Sequence, residues 1–247
     1  MFLRLLSLFT LHLSLFTLRL PAADVAELMI PANRIVVGEN DAAWRELSAT
    51  LAANGNVTGP FTENRYLPFK KIPVVFTGDM RLSPEHGLSL AYTKPESQLM
   101  IVDAKGVLLR DGRGRQRELP NDPRAQAATT ALLHVMRFDF PELSKNFEVF
   151  GLRNGDDWQL VFDPRPGELA NVLNRLVVTG RGAAVKKLEM RKSALQGIEI
   201  LIGDVRTHVE FTPEEIEKIL PLITANRRAI PPLCPGCFPS QKNLFHH

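Results

Sequence analysis

Many short segments of this chain carry an apolar side chain at every second position, which is the spacing of β-strands. In several of them the positions between are charged, as with Asp79 and Arg81 or Lys187 and Glu189. Strands of this kind form antiparallel sheets with one face toward the core and the other toward water. The alternating apolar residues are Val74, Phe76, Met80 and Leu82; Leu88, Leu90 and Tyr92; Trp158, Leu160 and Phe162; Leu176 and Val178; Leu188 and Met190; Ile198, Ile200 and Ile202; and Val209 and Phe211.

Turn signals separate some of these strands. Asp111-Gly112 and Asn154-Gly155 are residue pairs that favour two-residue hairpin turns, because such turns require positive φ. Consecutive short strands at this spacing predict a meander, and a large meander curls into a half-barrel or barrel. We therefore predict a mainly β fold built on one antiparallel half-barrel or barrel.

Two segments have helical spacing instead. In the first, residues 40–53, Trp44, Leu47 and Leu51 recur every three to four positions, as on one buried stripe of a helix.

The second helix is predicted to begin after Asn121, with Asp122 as the N-cap and Pro123 at the first helical position. It runs to about Arg137, and its apolar face comprises Ala128, Leu132, Val135 and Met136.

Two helices are too few to form a second layer, but they can cover the concave side of a curved sheet. Such a helical lid either encloses an apolar cavity or packs against the inward side chains as a solid core. Composition and periodicity leave both possibilities open.

The first residues resemble a secretory signal peptide. Arg4 is followed by an apolar run over residues 5–18, and Pro21-Ala22-Ala23 supplies a small-residue exit after Arg19. A membrane anchor is the alternative, but the run is shorter than the roughly 20 residues that span a bilayer. We predict a signal peptide over residues 1–23, a main domain over residues 24–228 and a tail over residues 229–247.

Charge excludes one broad class of function. The chain has a formal charge of +3, and loss of Arg4 and Arg19 with the signal peptide leaves about +1. A general nucleic-acid binder needs a surplus of Lys and Arg that faces phosphates. This composition therefore disfavours nucleic acid as a partner.

The tail contains both cysteines of the chain, Cys234 and Cys237, among several prolines. In an oxidising compartment they can close a small disulfide loop. A redox role and a metal site remain alternatives, although the prolines disfavour the helix of a redox Cys-x-x-Cys unit and further metal ligands at the required spacing are missing.

Evidence for catalysis in the sequence is thin. Asp156 and Asp157 are adjacent carboxylates, which acid-base chemistry can use, but at a predicted turn Asp also serves local hydrogen bonds. The chain has no nucleophile elbow, phosphate loop or His-Glu-x-x-His motif. We predict a protein that is not an enzyme and has no cofactor or metal.

Four arginines, Arg110, Arg113, Arg115 and Arg117, cluster around the predicted turn at Asp111-Gly112. They form either a solvated turn or a docking patch for an acidic partner surface or anionic headgroups.

Five segments follow one another in a recognisable order: 61–63 (Phe-Thr-Glu), 78–84 (Gly-Asp-Met-Arg-Leu-Ser-Pro), 88–95 (Leu-Ser-Leu-Ala-Tyr-Thr-Lys-Pro), 100–103 (Met-Ile-Val-Asp) and 154–164 (Asn-Gly-Asp-Asp-Trp-Gln-Leu-Val-Phe-Asp-Pro). Together they resemble the outer-membrane lipoprotein carrier (LolA-like) family in order and spacing. The resemblance covers about residues 38–215.

The resemblance implies an unclosed barrel of about eleven strands with a helical lid, an apolar cavity for acyl chains, and neither catalysis nor a cofactor. It implies that Ser83, Leu132, Val135 and Met136 lie at the contact between the lid helix and the sheet. The inward residues expected to line the cavity are Phe76, Met80, Leu82, Leu90, Tyr92, Met100, Leu132, Met136, Trp158, Leu160, Phe162 and Met190.

The chain departs from the family pattern at two positions. Ser83 stands where the carriers have an arginine that hydrogen-bonds to the lid, and Leu90 replaces an inward tryptophan. The chain thus resembles a divergent branch that serves lipid export.

We therefore expect a monomeric periplasmic carrier of an acyl chain, lipid or lipoprotein, loaded by an inner-membrane transporter and moving toward the outer membrane. A periplasmic adaptor with a filled core and no ligand is the alternative.

Overall fold

The computed structural model describes residues 25–119 and 122–219. Its helices are α1 (Val25–Leu28), α2 (Ala42–Ala52), α3 (Pro123–Arg137), α4 (Phe140–Asn146) and α5 (Pro213–Ile219). Its strands are β1 (Arg34–Ile35), β2 (Val57–Tyr66), β3 (Val74–Ser83), β4 (Gly87–Lys94), β5 (Gln98–Asp103), β6 (Gly106–Asp111), β7 (Gln116–Glu118), β8 (Phe147–Asn154), β9 (Asp157–Pro164), β10 (Arg175–Arg181), β11 (Ala184–Ser193) and β12 (Gln196–Ile202).

All twelve strands belong to one antiparallel sheet, in the order β1-β8-β9-β10-β11-β12-β2-β3-β4-β5-β6-β7. The chain lays down β2 to β7 as one meander and β8 to β12 as another, and β12 pairs with β2 to join them. The end strands β1 and β7 do not pair with each other, so the sheet is not closed. The predicted mainly β, unclosed half-barrel is confirmed, with twelve strands rather than eleven.

Both predicted turns lie between paired strands. In the first, the Asp111 carboxylate accepts hydrogen bonds from the backbone N–H groups of Arg113 and Arg115, each at 2.9 Å. In the second, Asn154 pairs with Asp157, so the connecting residues are Gly155 and Asp156, one position later than predicted. Gly155 has a φ of 60°, which explains why glycine suits this place.

The second predicted helix matches α3 closely. The Asp122 side chain accepts hydrogen bonds from the N–H groups of Arg124 and Ala125, and the helix ends at Arg137 as expected. The first predicted helix, residues 40–53, is α2 and is slightly shorter, with Trp44, Leu47 and Leu51 buried.

The sequence did not predict α4, which follows α3 directly. Its N-cap Asp139 accepts a hydrogen bond from Glu142. Among the described residues, no helix combines the length and the apolar character needed to cross a membrane.

One predicted strand is absent. Val209 and Phe211 lie between β12 and α5, outside any strand. Val209 is held by two hydrogen bonds to Asn56, of 3.1 and 3.0 Å, that are not part of a ladder. The reason is topological, because β2 and β11 already occupy both sides of β12.

The inward parity of the strands forms a core beneath α3. One cluster centres on Trp158, Leu160 and Phe162 of β9, and a second on Leu90 and Tyr92 of β4. Leu132 and Met136 of α3 pack against both clusters, so the helix lies across the concave face of the sheet.

The convex face has a smaller apolar cluster of its own. Leu28 of α1 is fully buried against Phe150, Val161 and Val177, which point outward from β8, β9 and β10.

Three sets of predictions lie outside the described residues. They concern the signal peptide over residues 1–23, the capping segment at Asn121, and the cysteine tail with Cys234 and Cys237.

Candidate functional site

Two cavities lie beside α3, one toward each end of the helix. Leu132 borders the larger cavity, and Met136, one turn later, borders the smaller. Side chains one turn apart share a face of a helix, so the same face of α3 covers both cavities.

The larger cavity has a volume of about 320 Å³. Its apolar walls come from Leu132 of α3 and from Leu176, Met190 and Ile198 on three neighbouring strands. Pockets of roughly 300–1,000 Å³ with mainly apolar walls are typical of small-ligand sites. The volume of this cavity therefore falls within the range of small-ligand sites.

Among the described residues, the charged side chains that line this cavity are all basic: Arg65, Arg191 and Lys192. Arg65 forms an ion pair with Glu63, and Arg191 forms one with Glu189 at 2.6 Å. Lys192 is exposed, and within the described residues no acidic side chain pairs with it. The apolar cavity thus has a cationic margin.

A buried polar cluster adjoins this margin on the concave face. The Glu63 side chain is only 2% exposed, and its two oxygens accept hydrogen bonds from Arg65 and from the Tyr92 hydroxyl, the latter at 2.6 Å. The Arg65 guanidinium stacks over the Phe76 ring at 4.1 Å. Burial raises the pKa of Tyr92 above its ordinary value, and the Glu63 carboxylate raises it further.

These contacts hold the Arg65 side chain in one place. Its guanidinium is bonded on one side and stacked on a ring on another, yet the side chain remains 39% exposed. It can therefore contact a ligand without first becoming ordered.

The smaller cavity has a volume of about 150 Å³. It lies between the end of α2, the start of β2 and the end of α3, with Leu51, Val57 and Met136 among its apolar walls. Arg137 is the charged residue that lines it.

The two ends of α3 are held differently. At the C-terminal end Phe138 has a φ of 51° and is buried, with its ring edge-on to Trp158 at 5.8 Å. The Ser48 hydroxyl donates a 2.7 Å hydrogen bond to the Phe138 carbonyl. At the N-terminal end, an exposed ion pair joins Arg124 to Glu168 at 3.4 Å.

Five of the twelve residues predicted for the cavity line one of the two cavities. Leu132 and Met190 line the larger one, and Met80, Leu82 and Met136 line the smaller one. The other seven pack within the two core clusters: Phe76, Leu90, Tyr92, Met100, Trp158, Leu160 and Phe162. Part of the concave face is thus filled core.

Of the predicted lid contacts, Val135 is 1% exposed and packs in the core rather than beside a cavity. Ser83 is buried at the end of β3, where its hydroxyl accepts a 3.3 Å hydrogen bond from the His86 N–H. The Ser83 side chain therefore stabilises its own turn.

The predicted arginine patch lies on the hairpin of β6 and β7, at the edge of the sheet. Arg115 forms an ion pair with Asp111 at 2.6 Å, while Arg113 and Arg117 are exposed. Arg110 is half-buried. The patch as a docking surface remains a prediction.

The sequence analysis missed Glu63, Arg65, Arg191 and Lys192 as site residues. A signal was present for two of them, because Phe61, Glu63 and Arg65 share the inward parity of β2. Two charged residues on an inward parity are unusual in a sheet.

Of the two carboxylates considered for catalysis, Asp157 forms a cross-strand ion pair with Arg181 of β10. The Asp157 carboxylate pairs with Arg181 through two hydrogen bonds of 2.6 Å, and both side chains are largely exposed. Within residues 25–119 and 122–219, no group of three acidic, histidine or cysteine side chains is placed to hold a metal ion.

The solved structures that resemble this chain share little sequence with it. An outer membrane lipoprotein-sorting protein domain from Vibrio parahaemolyticus is 9% identical, with a TM-score of 0.36 over 70% of this chain and 95% of that one. A DUF1329 family protein from Desulfovibrio piger is 8% identical, with a TM-score of 0.39 over 71% and 95%. A LolA superfamily protein from Nitrosomonas europaea is 6% identical, with a TM-score of 0.36 over 70% and 96%.

No curated protein matches the chain. The model of the family described as outer membrane lipoprotein carrier protein LolA-like matches residues 40–213, which include β2 to β12 and both cavities. The chain belongs to this LolA-like family.

Proposed function

We propose that the protein is a periplasmic carrier that shields an acyl chain, as part of a lipid or lipoprotein, in the larger cavity. In this proposal an inner-membrane transporter loads the monomeric carrier, which moves its ligand toward the outer membrane without catalysing a reaction. The observation that carries the proposal is the apolar cavity of about 320 Å³ between α3 and the concave face of the sheet. Membership in the LolA-like family supports the same function.

The charges at the cavity refine the ligand. Arg65, Arg191 and Lys192 stand at the margin of an apolar space. If an acyl chain filled the cavity, the polar end of the ligand would lie beside these cations, where a negative charge is stabilised. We therefore expect the polar end of the ligand to be anionic, as a carboxylate or phosphate is.

An adaptor with a filled core is the second candidate. The packing of Trp158, Leu160 and Phe162 in the core favours it, because these residues leave no room for a ligand in the middle of the sheet. The carrier and the adaptor differ in whether the cavity beside Leu132 binds an acyl chain.

A cavity-filling pair of variants separates them. Ala128 lines the larger cavity and Ala52 the smaller, and both lie on helices. In the carrier, Ala128→Phe abolishes binding of a fluorescent fatty-acid probe, while Ala52→Phe leaves the probe affinity within about twofold, since its cavity is not used. Fluorescence titration measures the affinity, and thermal melting checks that both variants fold.

If the unmodified protein fails to bind the probe, the adaptor is the correct reading. If Ala52→Phe is the variant that loses binding, the acyl chain of the probe occupies the smaller cavity, and the proposal that the larger cavity holds the ligand is wrong.

A further inference from the structure

The most exposed large apolar side chains of the described protein gather at one end of the sheet. Phe69 is 80% exposed, Ile72 76%, Leu195 66% and Val75 49%. The other exposed residues of this kind, such as Leu152 at 37%, are less exposed and scattered. Concentration of this kind marks an interaction surface, since single exposed apolar residues are ordinary.

The strand pairing places these residues together. Phe69 and Ile72 lie in the loop between the end of β2 and the start of β3, and Leu195 lies in the turn between β11 and β12. Tyr66, the last residue of β2, pairs with Gly197 near the start of β12, so the loop and the turn are neighbours.

The larger cavity reaches the same end of the sheet. Tyr66 and Leu67, which lead into the loop, line that cavity, as do Lys192 and Gln196 on either side of the turn. The exposed apolar residues therefore lie beside this end of the cavity.

Lysines are interleaved with these apolar residues. Lys70 and Lys71 separate Phe69 from Ile72, and both lysines are exposed. Lys192 adds a third exposed cation beside Leu195. Within the described residues none of the three lysines has an acidic partner.

We propose that this surface, formed by residues 67–73 and 192–196, docks onto an anionic lipid bilayer with Phe69, Ile72 and Leu195 inserted and the lysines on the headgroups. Apolar side chains that bury in the headgroup region and cations that contact anionic lipids are the two components of peripheral membrane binding. Docking in this orientation sets this end of the cavity against the membrane, so that an acyl chain passes between bilayer and cavity without crossing water.

A bilayer fits this surface better than a protein groove does. The apolar residues lie on two separate protruding connections with cations between them, which suits a deformable interface of headgroups and acyl chains. Protein interface cores, in contrast, are depleted in lysine.

The inference rests on the proposed function only for what enters the cavity. Vesicle binding and probe binding are therefore measured separately on the same variants. Phe69 and Ile72 do not line the cavity, so their substitution leaves probe affinity unchanged while docking is weakened.

The test uses the processed chain purified after export, with its N-terminus verified by mass spectrometry. It is floated with vesicles of phosphatidylethanolamine and phosphatidylglycerol, or of phosphatidylcholine alone. We expect Phe69→Ser and Ile72→Ser each to weaken binding to the anionic vesicles by on the order of tenfold, and Lys70→Gln or Lys71→Gln by about fivefold.

Matched controls lie at the opposite end of the sheet. Leu152→Ser and Lys186→Gln remove one exposed apolar side chain and one exposed lysine, and both should bind vesicles as the unmodified protein does.

Insertion is read by fluorescence. In Phe69→Trp, lipids with brominated acyl chains should quench the new indole, whereas in Leu152→Trp they should not. The native Trp44 and Trp158 are buried and give the same background in both variants.

Equal binding to neutral and anionic vesicles, or unchanged binding by Phe69→Ser and Ile72→Ser, would overturn the inference. It would also fail if the protein binds native inner-membrane vesicles but neither protease-stripped membranes nor pure lipid, because the surface would then recognise a membrane protein. Loss of probe binding with intact docking would instead reject the proposed cavity function alone.

Discussion

The two halves of α3 rest on different parts of the interior. The C-terminal half packs mainly on filled core, where Val135 is 1% exposed and Phe138 contacts Trp158, although Met136 and Phe138 also border the smaller cavity. The N-terminal half, with Ala128, borders the larger cavity, and its end is tied by the exposed ion pair of Arg124 and Glu168.

This difference shows how one helix can both stabilise a fold and give access to a cavity. Binding elements come from the less stable parts of a structure. The N-terminal half of α3, over the larger cavity, packs less closely than the C-terminal half. We expect α3 to open from its N-terminal end and to stay anchored at Phe138.

The largest effect is expected at the anchor. Phe138→Ala should lower the free energy of unfolding by about 3–5 kcal/mol, because it removes a buried ring. Leu132→Ala, on the half-buried face over the cavity, should cost about 1–2 kcal/mol, since less surface returns to water. Urea denaturation of the ligand-free protein measures both, and equal losses would contradict the comparison.

Tyr92 tests the polar cluster beside the cavity margin. Tyr92→Phe leaves the buried Glu63 carboxylate without its 2.6 Å hydrogen bond, which should cost about 2 kcal/mol at neutral pH.

The stability that the Tyr92 hydroxyl contributes should decrease at high pH. Because the folded-state pKa of Tyr92 is raised, the stability it contributes is present below the unfolded pKa of about 10 and is lost as the pH rises above it. Tyr92→Phe should therefore lose less stability than the unmodified protein between neutral pH and the alkaline range. Parallel pH profiles would show that Tyr92 titrates normally.

Hydrogen exchange should reveal a gradient along α3. The amides of residues 128–131 should exchange at least about tenfold faster than those of residues 133–136, which corresponds to about 1.4 kcal/mol of opening free energy. Amide exchange of the ligand-free protein, followed by mass spectrometry, measures this gradient. Uniform protection along α3 would mean that the helix opens as one unit or not at all.

The smallest effects concern the ties at the two ends. Arg124→Ala removes an ion pair whose side chains are 63% and 56% exposed, and should change stability by less than about 0.5 kcal/mol. Ser48→Ala removes the hydrogen bond to the Phe138 carbonyl and should cost about 1 kcal/mol. Thermal melting of both variants compares the two losses of stability. A larger loss from Arg124→Ala would show that α3 is anchored at its N-terminal end and not at Phe138.

Local sequence predicted the elements that depend on neighbours along the chain. Asp122 and Pro123 place the start of α3, and the alternation of Trp158, Leu160 and Phe162 places β9 and its inward face. The same local rule failed at Val209 and Phe211, because their alternation is that of a strand while the edge of β12 was already taken by β2.

By itself, then, the sequence determined the mainly β half-barrel, the helix that covers it and the inward parity of its strands. Only the tertiary structure decided that Trp158 fills core while Met190 borders a cavity, and that Arg65, Leu132 and Lys192 line the same cavity. The reason is physical: parity depends on adjacent residues, whereas a cavity is the space left where a helix crosses a sheet, and it depends on side chains from distant segments.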